Sequence, residues 1–439
     1  MKNLKNVFFA MLFLLPLAHV AQSNNDLIKS IQELMVKNYI FLDKAEETNL
    51  HLDKLMATKY FDAIADPKDL AKALSLELQK ITKDKHLNVA PPRPPRLPRE
   101  NTDFITRHLE IMDRFRSRGF GKIDVLEGNV GYVELKGFRR EDIPKVDAIM
   151  SYLSTADAII IDLRENGGGN SLGLYWSSYF LDSDVLLTSR YERRTDTKED
   201  FNTGDVKGEK RLDMPIFILT SNFTFSAAEG FAYDLQKRNR AIIVGETTGG
   251  GAHPINVIRL PKDYALIVPI SESINPITNS NWEGVGVIPN VKTTKDKALR
   301  KANDLAAVAA KTYREKPFNM LKDILSKNEV SKNEEEVVCN LLELLLKRNH
   351  LQDFMINDMG YSYLRNEQTK AASVIFKANT TIFPNSPNTH DSYAEVLAVQ
   401  GKNEEALKQY KQAVLLAEKQ NDRQFDIYKK NLLNFENKM

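Results

Sequence analysis

Between residues 125 and 291 the chain alternates short apolar runs with helical stretches, and this alternation limits its fold more than any other feature. One stretch between the runs, Ile143–Leu153, has its apolar residues on one helical face. Buried strands that alternate with helices predict an α/β core built on a largely buried sheet. The apolar runs are Val130–Leu135, Ala158–Leu163, Ile216–Thr220, Ala241–Gly245, Ile255–Leu260 and Ala265–Ile270.

Helical patterns flank this core on both sides. From Leu27 to Ile81 apolar residues recur at helical spacing, with a break at Asp66-Pro67. The segment PPRPPRLP, Pro91–Pro98, predicts an extended and stiff connector. We therefore predict a helical bundle over 24–90, a proline-rich linker and connector over 91–124, the core over 125–315, and a helical region over 316–439.

The carboxyl-terminal region contains an internal repeat with a period of about 34 residues. This period, with small residues where paired helices cross, resembles the tetratricopeptide repeat, although coincidental helix pairs would give a similar pattern. Helices of this kind could offer a surface to a protein partner. The matching pairs are Gly360 and Ala394, Ala372 and Ala406, and Phe376 and Tyr410.

The segment 1–23 has the pattern of a secretory signal peptide. Lys2 and Lys5 precede the apolar run Val7–Leu17, and small residues surround Ala21 and Ser23. The run is shorter than the ~20 residues that a membrane-spanning helix needs. We expect export to the periplasm or the extracellular space, with attachment to a membrane surface left open; an uncleaved anchor is the alternative.

Composition excludes several classes of protein and of site. The 61 Lys and Arg residues against 59 Asp and Glu residues leave a formal net charge of +2, which gives no electrostatic basis for binding nucleic acid. Cys339 is the single cysteine, so an intrachain disulfide framework and a cysteine-based zinc site are excluded. The histidines show no HExxH-type spacing. We expect neither a metal nor a cofactor.

Three segments carry residues suited to chemistry, and each follows a predicted strand. DLRENGGGN, from Asp162, turns on glycines whose N–H groups can face an anion, although a purely structural turn has the same composition. TFSAAEG places Ser226 at a predicted helix start, a setting that suits a nucleophile. Ser226 and Glu229 also have the spacing of a capping box, so both interpretations stand. In GETTGGGAHP, His253 follows a glycine turn, where histidines usually have surface or packing roles.

In this order and spacing, the three segments and EGVGVIP at Glu283–Pro289 resemble the tail-specific, or C-terminal processing, serine protease family. The closer resemblance is to its tricorn-core and interphotoreceptor retinoid-binding branch, whose helical bundle resembles the helices ending at Asp84–Leu87. The resemblance covers about residues 27–300 and implies a ClpP/crotonase-like core. It implies Ser226 as the nucleophile and the backbone amides of Gly168 and Ala227 as the oxyanion hole.

The same resemblance bears on the catalytic base. Relatives with a Ser/Lys dyad carry a lysine where this chain has Gly251, so that dyad is not expected. The tricorn-like branch takes a histidine from the region before the core, which matches His86, and His253 is the competing base. Glu272 lies nearest to the position that this branch uses for the orienting carboxylate. The alternative carboxylates are Glu229 and Glu246.

The resemblance implies an exported serine endopeptidase that cleaves peptides or unfolded proteins through an acyl-enzyme. The stretch between Pro98 and Gly128 is too short to hold the PDZ domain that many relatives insert there. The retinoid-binding relatives imply an alternative, a non-catalytic protein that binds an apolar ligand or a peptide on the same core. A scaffold that works through its carboxyl-terminal helices is a third possibility.

Overall fold

The computed structural model describes residues 24–92, 104–106, 108–109 and 119–439. They fall into two compact units, of which the first takes in the chain up to Ser151 together with Ala158–Ala307. The second consists of Tyr152–Asp157 and Val308–Met439. The helical bundle and the α/β core, predicted as separate domains, therefore lie within the first unit. The predicted signal at 1–23 and the connector at 93–103 lie outside the described residues.

Three helices form the amino-terminal part of the first unit. The predicted break at Asp66-Pro67 is the start of the third helix, where Asp66 accepts hydrogen bonds from the backbone N–H groups of Lys68 and Asp69. Lys83, with φ 59°, ends this helix in the left-handed conformation and turns the chain toward residues 84–87. The helices are α1 (24–38), α2 (Leu42–Ala57) and α3 (Pro67–Thr82).

A six-stranded sheet forms the centre of the first unit, in the order β12-β8-β7-β4-β3-β2. All neighbouring strands in it are parallel except β2 and β3. Every residue of β4 and β7 is buried, as expected for parallel strands covered on both faces. The strands are β2 (Phe120–Leu126), β3 (Val130–Leu135), β4 (Ala158–Asp162), β7 (Ile216–Thr220), β8 (Ile242–Gly245) and β12 (Val291–Lys292).

Two three-stranded antiparallel sheets complete the strand framework, in the orders β1-β10-β9 and β11-β5-β6. Strand β1 follows α3 and pairs with β10 in the register Asn88↔Ile267. This pairing fixes residues 84–87, just before β1, against the core. The strands are β1 (Asn88–Ala90), β9 (Ile255–Arg259), β10 (Ala265–Pro269), β5 (Leu186–Glu192), β6 (Thr197–Asn202) and β11 (Ser271–Ile274).

The helices of the core follow the strands as the sequence predicts. The predicted helix Ile143–Leu153 is observed at Ile143–Tyr152, and the helix after β7 begins at Ala227, with Ser226 as its N-cap. None of the described helices combines the length and the apolar composition needed to cross a bilayer. The helices are α4 (Ile143–Tyr152), α5 (Leu172–Ser177), α6 (Ala227–Lys237) and α7 (Lys295–Leu325).

The second unit consists mainly of helices that pair at a regular period. Helices α9 and α11 begin one repeat period apart, at Asp353 and Pro387, and α10 and α12 keep the same spacing, so the predicted repeat is a repeat of helix pairs. Gly360 permits close packing, because a Cβ there would lie 2.6 Å from a ring carbon of Phe376. Helices α8–α13 are Lys332–Lys347, Asp353–Arg365, Thr369–Ile382, Pro387–Val399, Asn403–Gln420 and Phe425–Glu436.

The prediction of an α/β core between an amino-terminal helical bundle and a carboxyl-terminal helical region is confirmed. Each of the predicted apolar runs forms a strand at nearly the predicted bounds. Strand β6, which the sequence did not reveal, is largely exposed and polar. Its residues lack the apolar run by which a buried strand is recognised.

Candidate active site

Ser226 lies at the sharp turn between β7 and α6. Its backbone has φ 55° and ψ −124°, a conformation that costs ~1–3 kcal/mol for a residue with a Cβ. Strain of this size persists only where the surrounding structure enforces it, and functional sites are common places for it. Ser226 lines a cavity of about 830 Å³ in the first unit.

Glu229 enforces this turn. Its fully buried carboxylate accepts hydrogen bonds from the N–H of Ser226 at 2.8 Å and from those of Gly250 and Gly251 at 2.7 and 2.9 Å. The Thr248 hydroxyl also donates to it. Burial raises the pKa of Glu229, and these hydrogen bonds oppose that shift. Glu229 therefore completes the capping box and also binds the second glycine turn. Ser226 both caps α6 and faces the cavity, so the two interpretations of this residue are compatible.

The first glycine turn packs against Ser226. A Cβ on Gly168, whose φ is 104°, would lie 2.8 Å from Ser226 Cβ and 3.2 Å from the Ala227 nitrogen, so only glycine fits. Ala227 is the first residue of α6, where helix N–H groups have no partner within the helix. The Gly168 N–H, predicted as an oxyanion donor, donates to Asn166 Oδ1 at 2.9 Å. This bond would have to open before Gly168 could serve an oxyanion.

His86 enters the same cavity from the segment between α3 and β1. Its ring centroid lies 4.6 Å from that of Phe225, the residue before Ser226. The buried Nδ1 has no hydrogen-bond partner within the described part of the chain. Burial lowers the pKa of His86, partly opposed by the charge of Asp84, so the imidazole is neutral at pH 7.

Gly251 explains how His86 reaches this position. A Cβ at Gly251 would lie 2.7 Å from His86 Cε1 and 2.2 Å from Phe225 Cζ. A lysine at this position, as in the Ser/Lys relatives, would therefore occupy the space of both rings. The absence of a side chain at Gly251 therefore leaves the space that the ring of His86 occupies.

His253 lies in a different electrostatic environment of the same cavity. Its Nδ1 is 2.8 Å from Asp84 Oδ2 and 3.6 Å from Glu283 Oε2. Burial lowers the pKa of His253, but the hydrogen bond and charge of Asp84, with the charges of Glu283 and Glu272, outweigh burial and raise it. His253 therefore holds a proton more readily than His86 does.

Asp84 joins the two histidines, a role that sequence reasoning missed. The side chain is 1% exposed, and its Oδ1 accepts the backbone N–H of His86 at 3.0 Å. Its Oδ2 contacts His253 and accepts a hydrogen bond from the Tyr39 hydroxyl at 3.3 Å. An aspartate two residues before a histidine can form such a local turn, and that spacing was the available signal.

Glu283 is the other carboxylate at His253. Burial and the charge of Asp84 raise the pKa of Glu283 to about 7, with the charge of His253 opposing them. The Ala252 N–H donates to its Oε2 at 2.5 Å. Ligand atoms of Asp84, His253 and Glu283 all lie within 4.8 Å of one another, so the trio could supply one nitrogen and two oxygen ligands to a metal.

The carboxylates predicted to orient the base lie elsewhere. Glu272, on β11, accepts a hydrogen bond from Asn281 Nδ2 at 3.3 Å and affects His253 only through its charge. Glu246 accepts the backbone N–H groups of Asn222 and Lys295 at 3.3 and 3.1 Å. The structure therefore favours Asp84 and Glu283 for contact with an imidazole over the predicted set, Glu272, Glu229 and Glu246.

Two family models match the chain. Residues 129–293 match Peptidase family S41, and residues 15–113 match the N-terminal domain of peptidase S41 in eukaryotic IRBP. The first match contains both glycine turns and Ser226, and the second contains Asp84 and His86. The two matches together cover the segments that line the cavity near Ser226.

Curated relatives are processing proteases. The carboxyl-terminal-processing protease of Picosynechococcus sp. is 26% identical over 175 residues, which are 39% of this chain and 41% of that protein. The tail-specific protease of Haemophilus influenzae is 30% identical over 153 residues, 34% of this chain and 21% of that protein. The chain thus spans less than half the length of these relatives.

Solved structures with a similar arrangement include the photosystem II D1 C-terminal processing protease, at a TM-score of 0.41 and 14% identity. That match covers 62% of this chain and 94% of the other. The tricorn protease matches at a TM-score of 0.45 and 13% identity, over 66% of this chain and 37% of the other.

Proposed function

The chain belongs to peptidase family S41, and on that premise we propose that it is a serine endopeptidase that cleaves peptides or unfolded proteins with Ser226 as nucleophile and His86 as base. The observation that carries the proposal is the position of Ser226. A strained N-cap serine lines the same cavity as a neutral imidazole. No residue of the mechanism requires a metal or a cofactor.

In the proposed first step, Ser226 Oγ attacks the carbonyl carbon of the substrate while His86 accepts the hydroxyl proton. The negative charge passes to the carbonyl oxygen, beside the Ala227 N–H at the start of α6, where the helix dipole favours an anion. The C–N bond then breaks, and His86 gives its proton to the leaving amine. An ester between Ser226 and the acyl part of the substrate remains.

In the second step, His86 takes a proton from water as the water oxygen attacks the ester. The second tetrahedral intermediate collapses, and His86 returns the proton to Ser226 Oγ as the carboxylate product leaves. The enzyme is then unchanged and one water molecule has been consumed.

The choice of His86 over His253 is supported by their opposite pKa shifts. A base must be neutral before it can accept a proton, and the pKa of His86 is lowered by burial. His253 has its Nδ1 beside Asp84 and Glu283 and a raised pKa, which suits a residue that carries charge and holds Asp84 in place.

Cleavage of a fluorescent unfolded protein by the wild type and by Ser226→Ala tests the proposal. We expect Ser226→Ala to lose all measurable turnover while keeping its fold, as checked by circular dichroism. Ser151→Ala, which changes an exposed serine on α4, should cleave normally. A fluorophosphonate probe should label the wild type and Ser151→Ala but not Ser226→Ala. Unlabelled wild-type protein that binds an apolar ligand would instead support the non-catalytic alternative.

Export is part of the same proposal and rests on the signal pattern of residues 1–23. Expression of the full chain with a carboxyl-terminal tag should give a cleaved protein in the periplasmic or secreted fraction. Retention of the uncleaved chain in the membrane fraction would favour the anchor.

A further inference from the structure

The cavity that holds Ser226 continues along helix α6. Residues on successive turns of this helix, Ala227, Gly230, Phe231 and Asp234, all line it. Eight residues separate Ser226 from Asp234, which corresponds to about 12 Å along the helix at 1.5 Å per residue. Gly230 helps to keep this path open, because even a Cβ there would lie 3.0 Å from the ring of Trp282.

Asp234 is a buried carboxylate without a paired cation among the described residues. The residue is 4% exposed, and Asn275 Nδ2 donates to its Oδ1 at 2.8 Å. Arg238, one turn further along α6, directs its guanidinium to backbone carbonyls, including that of Asp234 at 3.0 Å, and not to the carboxylate. In the described part of the chain no ion pair involves this carboxylate. A buried carboxylate without an ion pair costs free energy when it is charged, and a cation beside it would offset this cost.

The walls on the way to Asp234 suit an alkyl stem. Leu174 and Phe231 give the cavity apolar surface, whereas Thr188, Ser177 and Asp234 contribute polar groups. The hydroxyls of Ser177 and Thr188 donate to the backbone carbonyls of Gly173 and Ile274, so their oxygens remain able to accept. An apolar passage with acceptors along it matches a lysine or arginine side chain, which buries its methylene stem and needs partners for its charged end.

We propose that this arm of the cavity binds a lysine or arginine side chain from a substrate residue that flanks the scissile bond, with the cationic group on Asp234. The inference rests on the proposed peptidase function and adds its substrate preference. Asp234 is a specificity-determining residue in this scheme and takes no part in bond breaking.

The ionisation of Asp234 fits this role. Burial raises its pKa to about 7, with the hydrogen bond from Asn275 and the charge of Arg238 opposing the shift. A cation beside the carboxylate would favour its charged form. The subsite therefore gains charge as a basic side chain enters, and it accepts a neutral side chain without burying a full negative charge.

A positional-scanning peptide library tests the preference on the wild type, Asp234→Asn and Asn275→Ala. We expect the wild type to cleave peptides with Lys or Arg at one position beside the bond roughly tenfold or more faster than peptides with norleucine there. Asp234→Asn keeps the shape and should lose this ratio while still cleaving norleucine peptides. Asn275→Ala removes the hydrogen bond but keeps the carboxylate, and should retain the ratio.

Wild-type cleavage without a basic preference, or an unchanged ratio in Asp234→Asn, would overturn the inference and leave the peptidase function standing. If the ratio is lost equally in Asn275→Ala, Asp234 acts only by holding the turn at Asn275, and the inference is wrong.

Binding separates this inference from the proposed function. Fluorescence anisotropy with Ser226→Ala should give tighter binding for peptides with lysine at the preferred position beside the bond than for the same peptides with norleucine there. The double variant Ser226→Ala/Asp234→Asn should bind both equally. This measurement does not depend on turnover. The comparison of the two peptides on Ser226→Ala also leaves Asp234 unchanged. Equal binding of both peptides by Ser226→Ala would overturn the inference even if the wild type proves to be a peptidase.

Discussion

The segment before β1 and the glycine turn after β8 each bring a histidine to one cavity, in opposite electrostatic surroundings. His86 has a lowered pKa and an Nδ1 without a hydrogen-bond partner among the described residues, whereas His253 contacts Asp84 and Glu283 and has a raised pKa. Two residues of the same type, on the same cavity, are thus suited to different tasks. The comparison teaches that the electrostatic surroundings of an imidazole, and not the residue type alone, decide whether it suits the role of base.

The largest effect that tests this comparison is expected from His86→Ala. Loss of the general base should lower kcat by about 10²–10⁴-fold. His253→Ala should cost less, because in the proposed mechanism that ring holds Asp84 and does not accept the proton. Steady-state kinetics on one fluorogenic peptide measure both variants, and a larger loss in His253→Ala would reverse the assignment.

Asp84→Asn should have the next largest effect, since Asp84 contacts both segments. Removal of its charge should lower kcat by about 10–100-fold, the loss that is typical when the carboxylate partner of a metal-bound histidine is removed. The matched control is Asp147→Asn, which changes a carboxylate that accepts hydrogen bonds from the hydroxyls of Tyr175 and Tyr179. Equal losses in kcat from the two variants would mean that Asp84 has only a structural role.

Gly251→Ala should reduce both activity and stability, because its Cβ would overlap Phe225 and His86. Overpacking of this kind costs ~1–3 kcal/mol in the free energy of unfolding. Gly204→Ala is the control, since a Cβ at Gly204 would meet nothing within 4 Å. Denaturant unfolding and kcat measure the two consequences, and normal values for Gly251→Ala would show that His86 does not need this space.

The smallest expected effect is a shift in the pH profile. Since burial lowers the pKa of His86 below 6.5, kcat/KM should fall on the acid side with a midpoint below that value. The charge of Asp84 raises the pKa of His86, so Asp84→Asn should move the midpoint to still lower pH. A wild-type midpoint above 6.5 would instead identify His253, whose pKa is raised, as the base.

The sequence was sufficient for the core strands and for the position of Ser226. Buried parallel strands such as β4 are continuous apolar runs, and glycines at the strand ends mark turns that only glycine permits. Edge strands such as β6 carry polar residues on both faces, so no periodicity distinguishes them from loops.

The carboxylates of the site could not be predicted in the same way. Asp84 and His253 are 169 residues apart, and they meet only in the tertiary structure, in which β1 pairs with β10. Glu272 was favoured by position, yet β11 places it by Asn281, while Glu283 reaches His253. Asp234 lies in a helix, where an aspartate usually faces solvent, and only the cavity reveals its burial.

The three-residue strand β1 links the two parts of the candidate site. Ser226 and both glycine turns lie within residues 158–253, whereas His86 lies just before β1, which pairs with β10. In the proposed mechanism, a molecule without this pairing would have the serine but lack the histidine that takes its proton. We therefore expect the short strand β1 to couple the packing of the amino-terminal helices to the onset of proteolysis.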